Sequence, residues 1–82
     1  MKEILVIIPA YNEAGSIERV VEGCKEKLPD ADYLVVNDGS SDDTAKILRV
    51  NGYRALYLPV NLGLAGAFRA GMRYADEKGY RA

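Results

Sequence analysis

This chain of 82 residues contains no histidine. That removes the side chain most used as a general base near neutral pH and as a metal ligand. It has a single cysteine, Cys24, so no internal disulfide can form. The place of Cys24 on an apolar helical stripe reads as a core thiol, not a nucleophile. Neither sign of charge prevails: 11 basic against 12 acidic residues give a formal net charge of -1. With acids and bases interspersed, the chain has no electrostatic footprint for nucleic acid. The opening apolar run is far too short to cross a bilayer, and no secretory cleavage pattern follows it. The expectation is a cytoplasmic chain, with a peripheral position at the inner face of a membrane left open. Repeats, low-complexity tracts and linkers are also missing, and the length leaves room for one domain. Such a domain buries somewhat over ~60% of its unfolded surface, a small core.

What is present alternates strand and helix three times. Ile4-Leu5-Val6-Ile7-Ile8, bounded by Pro9, reads as a buried strand. Ile17, Val20, Val21, Cys24 and Leu28 then recur at helical spacing, with Glu18, Arg19, Glu22 and Lys25 opposite. That helix is expected to start near Asn12 and Glu13 and to stop before Pro29. Tyr33-Leu34-Val35-Val36 is the second strand. Ser40-Ser41-Asp42-Asp43-Thr44 opens the second helix with a capping hydroxyl and acids in the first turn. Asn51-Gly52 closes it. Residues 53–58 form the third strand, closed by Pro59. Residues 64–78 form the third helix, with Phe68, Met72 and Ala75 on its apolar stripe and Gly79 as its cap.

Alternation of this kind argues for an α/β fold with a parallel sheet. Right-handed crossovers then give the order 3-2-1, with the first two helices on one face. The third helix would lead back to a fourth strand on the free side of the first, beginning near Tyr80-Arg81-Ala82. The chain therefore reads as the front half of a larger domain. The carboxyl end of the first strand becomes a switch point, where such sheets bind ligands. The free edge of that strand is apolar, and residues 5–8 include no Lys or Pro to discourage pairing. Either self-association through this edge or marginal stability with aggregation is expected.

Three loops meet at the carboxyl edge: Pro9-Ala10-Tyr11-Asn12-Glu13, Asn37-Asp38-Gly39-Ser40-Ser41 and Pro59-Val60-Asn61-Leu62-Gly63. Tyr11 offers a ring on which a planar base stacks. Asp38 is suited to accept a hydrogen bond from a ring N–H. Pro9 supplies a rigid wall. Each residue also has a plainer role: Tyr11 as cover for a helix start, Asn12 and Glu13 as caps, Asp38-Gly39 as a turn. Asp42 and Asp43 look like a metal pair but sit where acids complement a helix dipole. Gly63 and Gly66 lack the full dinucleotide fingerprint, and no phosphate-loop Lys follows. Arg69, Arg73 and Lys78 read as a solvated helix face.

The segments IIPAYNE, VVNDGSSDDT and NLGLAGAFRAG, in this order and spacing, resemble the amino-terminal region of family-2 glycosyltransferases. GLAGAFRAG followed by YADEKGY is most similar to the branch that moves sugars onto polyprenyl phosphates. The resemblance covers almost the whole chain. It implies a Rossmann-like GT-A half domain, β-α-β-α-β-α, binding the nucleotide of a nucleotide-diphosphate sugar. By that resemblance Pro9, Tyr11 and Glu13 line the base and ribose pocket, Asp38 accepts the base N–H, and Gly63 lies near the diphosphate. The family's Asp-x-Asp and its catalytic base fall outside this sequence, so no catalytic or metal-binding residue is assigned within it. A divalent cation, Mg or Mn, is implied for the full-length enzyme only, and the chain alone is expected to be inactive. Leu64 stands where the family often has Lys, and Asn37 where many relatives carry Asp. The alternatives are a catalytically inactive nucleotide-binding module and a purely structural α/β domain.

Overall fold

The computed structural model describes residues 2–80. Its elements run β1 (Leu5–Ala10), α1 (Ile17–Lys27), β2 (Asp32–Asp38), α2 (Thr44–Val50), β3 (Ala55–Leu58) and α3 (Gly63–Lys78). The three strands form one parallel sheet in the order β1-β2-β3, as the alternating pattern requires. The expected beginning of a fourth strand at Arg81 and Ala82 lies outside the described residues.

Side chains alternate across the sheet. Ile8, Ala10 and Val35 join Ile17, Val21 and Leu48 beneath α1 and α2, with Cys24 packed against them. On the other face Leu5, Leu34 and Val36 meet Ala67 and Ala75 of α3. The result is three layers, with β2 buried on both sides and its Leu34, Val35 and Val36 nearly inaccessible. Burying each such side chain contributes about 1.5–3 kcal/mol.

Several boundaries differ from the sequence expectation. β1 continues through Pro9 to Ala10. The Asp32 N–H donates to the Ile4 carbonyl. With Leu5 opposite Asp32, Ile4, Val6, Ile8 and Ala10 turn their backbone groups to β2, and Leu5, Ile7 and Pro9 turn theirs to the open edge. Pro9 is therefore accommodated because its missing N–H falls on the unpaired side. α1 begins only at Ile17, since residues 11–16 form a loop tied to the next one. Val20 and Leu28 stay about half exposed, so its buried stripe is narrower than the spacing suggests.

α3 departs most. Phe68 and Met72, expected in the core, are 40% and 57% exposed, and the buried residues are Gly66, Ala67, Gly71 and Ala75. The reason is distance: a Cβ added at Gly71 would stand 2.6 Å from Ile7 Cγ2. Small residues let the helix lie directly on β1, and that approach leaves no room for large side chains beneath it. Gly79, left-handed at φ +82, ends α3. Tyr80 then donates its hydroxyl to Asp32 Oδ2 at 2.6 Å and accepts from Arg54, tying this end of the chain to the amino side of the sheet. The Tyr80 hydroxyl holds the Asp32 carboxyl below its usual range.

Candidate functional site

The carboxyl edge is held by polar side chains that accept backbone N–H groups. Asn12 takes a left-handed conformation, φ +53, which Asn tolerates better than most residues. This aims its Oδ1 at the second loop, where it accepts from the N–H groups of Ser41 (2.8 Å) and Asp42 (3.3 Å). In return the Asn12 N–H donates to Ser40 Oγ at 3.0 Å, and the Glu13 N–H to Thr44 Oγ1 at 3.0 Å. Asp42 closes the tie: its Oδ2 accepts from the Ala14 N–H and its Oδ1 from the Thr44 N–H and hydroxyl. The Thr44 hydroxyl is the main reason the Asp42 carboxyl lies below its usual range. Asp42 thus fastens two loops in place of the first-turn role expected of it: α2 begins only at Thr44, has no acid in its first turn and has no side-chain cap.

The second and third loops are joined differently. Asp38 is 3% exposed, and its Oδ1 accepts from the Leu62 N–H at 2.7 Å. Gly39 adopts φ +65, and a Cβ there would stand 2.6 Å from Asn61 N and Val60 C. Only glycine permits both that backbone conformation and that approach. Gly63, at φ +80, donates its N–H to Asn61 Oδ1 and starts α3.

Between the first and third loops lies a cleft of about 280 Å³. Pro9, Tyr11, Glu13, Asp38 and Gly63 all line it, with Ala10, Asn61, Leu64 and Ala67. The topology therefore brings all five sequence-selected residues to one place. Tyr11 stands at its mouth, 47% exposed. The Glu13 carboxylate accepts from the Ser16 hydroxyl at 2.8 Å. Leu64, where a Lys would supply a cation, presents an apolar side chain 64% exposed. Asn37 is buried and accepts from the Ser40 N–H, so it acts as a turn former. Arg69 and Arg73 lie away from the cleft, beside Leu56 and Tyr74 on the other flank of α3.

Sequence reasoning missed the interlocking of Asn12, Thr44 and Asp42. The run Ser-Ser-Asp-Asp-Thr signals a helix start, but its partners are 28–31 residues away. The residues of the cleft do not by themselves fit a divalent cation. Asp38 and Glu13 are held by protein donors, and no three of Asp, Glu or Cys come together among the described residues.

Known proteins resemble this arrangement in sequence. The family model "Glycosyl transferase family 2" matches residues 5–80. An undecaprenyl-phosphate mannosyltransferase of Micrococcus luteus is 34% identical over 82 residues, covering 94% of this chain and 34% of its own. An undecaprenyl-phosphate 4-deoxy-4-formamido-L-arabinose transferase of Proteus mirabilis is 35% identical over 86 residues, covering 93% and 26%. A poly-beta-1,6-N-acetyl-D-glucosamine synthase of Staphylococcus epidermidis is 29% identical over 78 residues, covering 89% and 19%. The chain thus spans about a third or less of the length of these curated relatives. With the family model running from the start of β1 to Tyr80, through all three loops of the cleft, the chain belongs to glycosyl transferase family 2.

Proposed function

We propose that this chain is the donor-binding part of a glycosyltransferase, holding the nucleotide of a nucleotide-diphosphate sugar in the cleft between the first and third loops. The observation that carries the reading is the convergence of Pro9, Tyr11, Glu13, Asp38 and Gly63 on one cleft at the carboxyl edge of a parallel sheet. Tyr11 gives the base a stacking surface against the rigid wall of Pro9. Asp38 offers its second oxygen to a ring N–H, the first being occupied by Leu62. A base without that donor would face a carboxylate lone pair, so the contact selects as well as binds. Glu13 reaches the ribose hydroxyls, and Gly63 leaves the diphosphate an open approach to the backbone.

In this reading residues 1–82 are one nucleotide-sugar-binding domain within a larger GT-A domain, and the sugar passes to an acceptor bound elsewhere in the full enzyme. The names of the relatives from Micrococcus luteus and Proteus mirabilis favour a polyprenyl phosphate as that acceptor. Such an acceptor would place the enzyme at the cytoplasmic face of a membrane. No helix among the described residues is long and apolar enough to cross one. A magnesium or manganese ion belongs to this reading for the full enzyme alone, where it would neutralise diphosphate charge.

Calorimetric titration of the chain with UDP and GDP tests the proposal. One of them should bind, and Tyr11→Ala should weaken it by about 1–3 kcal/mol, the worth of one base stacked on an aromatic ring. Tyr11 is the better probe because Asp38→Ala also releases Leu62. No binding of either nucleotide, or equal affinity of Tyr11→Ala and the unmodified chain, would refute it.

A further inference from the structure

Tyr11 and Glu13 line the cleft, and the residue between them, Asn12, does not. Ala10 stands opposite Asn37 in the register, so the first and second loops leave adjacent strand ends side by side. Three consecutive N–H groups of the first loop, those of Asn12, Glu13 and Ala14, donate to three different side chains that follow β2: Ser40, Thr44 and Asp42. In the reverse direction Asn12 Oδ1 accepts from the N–H groups of Ser41 and Asp42 and from the Ser41 hydroxyl. The fully buried Thr44 hydroxyl joins the two sets, accepting from the Glu13 N–H and donating to Asp42.

These bonds do for the first loop what a ladder does for a strand. Residues 11–16 belong to no strand or helix, so no repeating pattern fixes their φ and ψ. Among the described residues no hydrogen bond or ring contact engages the Tyr11 side chain. The direction of its ring therefore follows from the backbone beside it, where Asn12 takes the left-handed turn. Glu13 is fixed from behind by the Thr44 hydroxyl on its N–H. A ligand that had to order this loop on arrival would bind more weakly by the free energy of ordering it.

We propose that Asn12 and Thr44 are positioning residues for the nucleotide. Asn12 sets the direction of Tyr11 and Thr44 that of Glu13, so the first loop is ordered before the ligand arrives. The inference rests on the nucleotide reading above, and adds that affinity depends on side chains outside the cleft.

Amide exchange without nucleotide, and calorimetry with whichever of UDP and GDP the unmodified chain binds, test it together. The Asn12 and Glu13 amides should be protected in the free chain. Asn12→Gly leaves the left-handed conformation accessible and removes the acceptor. It should weaken binding about tenfold, as when one residue must be ordered on binding. Thr44→Val removes the hydroxyl and should weaken binding similarly. Thr44→Ser keeps the hydroxyl and loses a buried methyl, so it should lower stability and bind like the unmodified chain. On a Tyr11→Ala background, Asn12→Gly should cost less than about twofold, because its effect passes through the ring.

Unprotected Asn12 and Glu13 amides, unchanged affinity in Asn12→Gly, equal losses in Thr44→Ser and Thr44→Val, or full additivity of Asn12→Gly with Tyr11→Ala would each overturn the proposal and leave the nucleotide reading standing. Failure of the unmodified chain to bind either nucleotide would overturn that reading and this inference with it.

Discussion

The two faces of the sheet are packed on different terms. Under α1 and α2 the interface is built from branched and aromatic side chains: Ile17, Val21, Leu48 and Tyr53. Its carboxyl end is closed, because Asn12, Asp42 and Thr44 lock the first and second loops together. Under α3 the helix contributes Gly66, Ala67, Gly71 and Ala75, and lies directly on β1. Its carboxyl end is the cleft, into which Pro9 and Asp38 project. Bulky side chains interdigitate on one side, and the ties between the first and second loops close its carboxyl end. Small residues on the other side bring a helix start close to the strand ends without filling the gap above them. Stability and binding are thus divided between faces, and the division can be attacked from either side.

Leu48→Ala should have the largest effect. Leu48 is fully buried, and truncation costs the transfer free energy plus that of a cavity, about 2–5 kcal/mol. Chemical denaturation would read the loss, and nucleotide affinity of the folded fraction should not change. A Leu48→Ala chain that folds normally but loses binding would break the division between faces.

On the α3 side, Gly71→Val should cost about 1–3 kcal/mol by overpacking against Ile7. Because α3 must move from β1 to admit the side chain, the cleft should widen and affinity for a nucleotide diphosphate should fall along with stability. Unchanged affinity would show that the cleft does not depend on the close seating of α3.

Gly39→Ala probes the join between the second and third loops. The left-handed backbone alone costs about 1–2 kcal/mol with a side chain. The approach to Val60 and Asn61 adds to it. Denaturation should show the loss, and amide exchange should rise selectively in residues 59–62. A uniform rise across the chain would instead make this loop part of the global core.

The smallest effect is acid sensitivity. The Asp42 carboxyl lies below the usual carboxylate range because it accepts from the Thr44 hydroxyl and from backbone N–H groups. A lowered folded value means its contribution is fully present above the ordinary carboxylate pKa of the unfolded chain and is lost as pH falls through the folded value. Asp42→Asn should flatten the stability profile below about pH 4. Asp32, lowered chiefly by the Tyr80 hydroxyl, should remain the acid-sensitive group at the other end of the sheet. A profile in Asp42→Asn identical to that of the unmodified chain would show that the carboxylate does not hold the two loops.

The α3 stripe shows where sequence reasoning fails. Phe68, Met72 and Ala75 share a helical flank, and hydrophobicity alone turns that flank inward. Of the three only Ala75 is buried, beside Ala67 and Gly71, because a strand lies within contact distance of the helix backbone and admits small side chains alone. Periodicity measures which residues are apolar, not how near the neighbouring layer comes. Pro9 shows the same limit, since a proline closes a central strand but not the outward side of an edge. Pro9, Tyr11 and Asp38 were legible because each lies at or just after a strand end, which the pattern shows, whereas Glu13 and Gly63 came from the family resemblance alone. The loop ties were not, because a hydrogen bond between residues about thirty positions apart leaves no local trace.

Local pattern is enough to set the alternation of strands and helices, the parallel order, the helix stop at Gly79 and the loops that carry Pro9, Tyr11, Glu13, Asp38 and Gly63. These follow from short-range causes: side-chain period, proline and glycine geometry, and the handedness of crossovers. The tertiary structure alone decided which flank of α3 is buried, that Asn12 takes a left-handed turn to reach Ser41 and Asp42, and that Asp38 spends one oxygen on Leu62. Those depend on distances between elements that only simultaneous packing of all three layers can set.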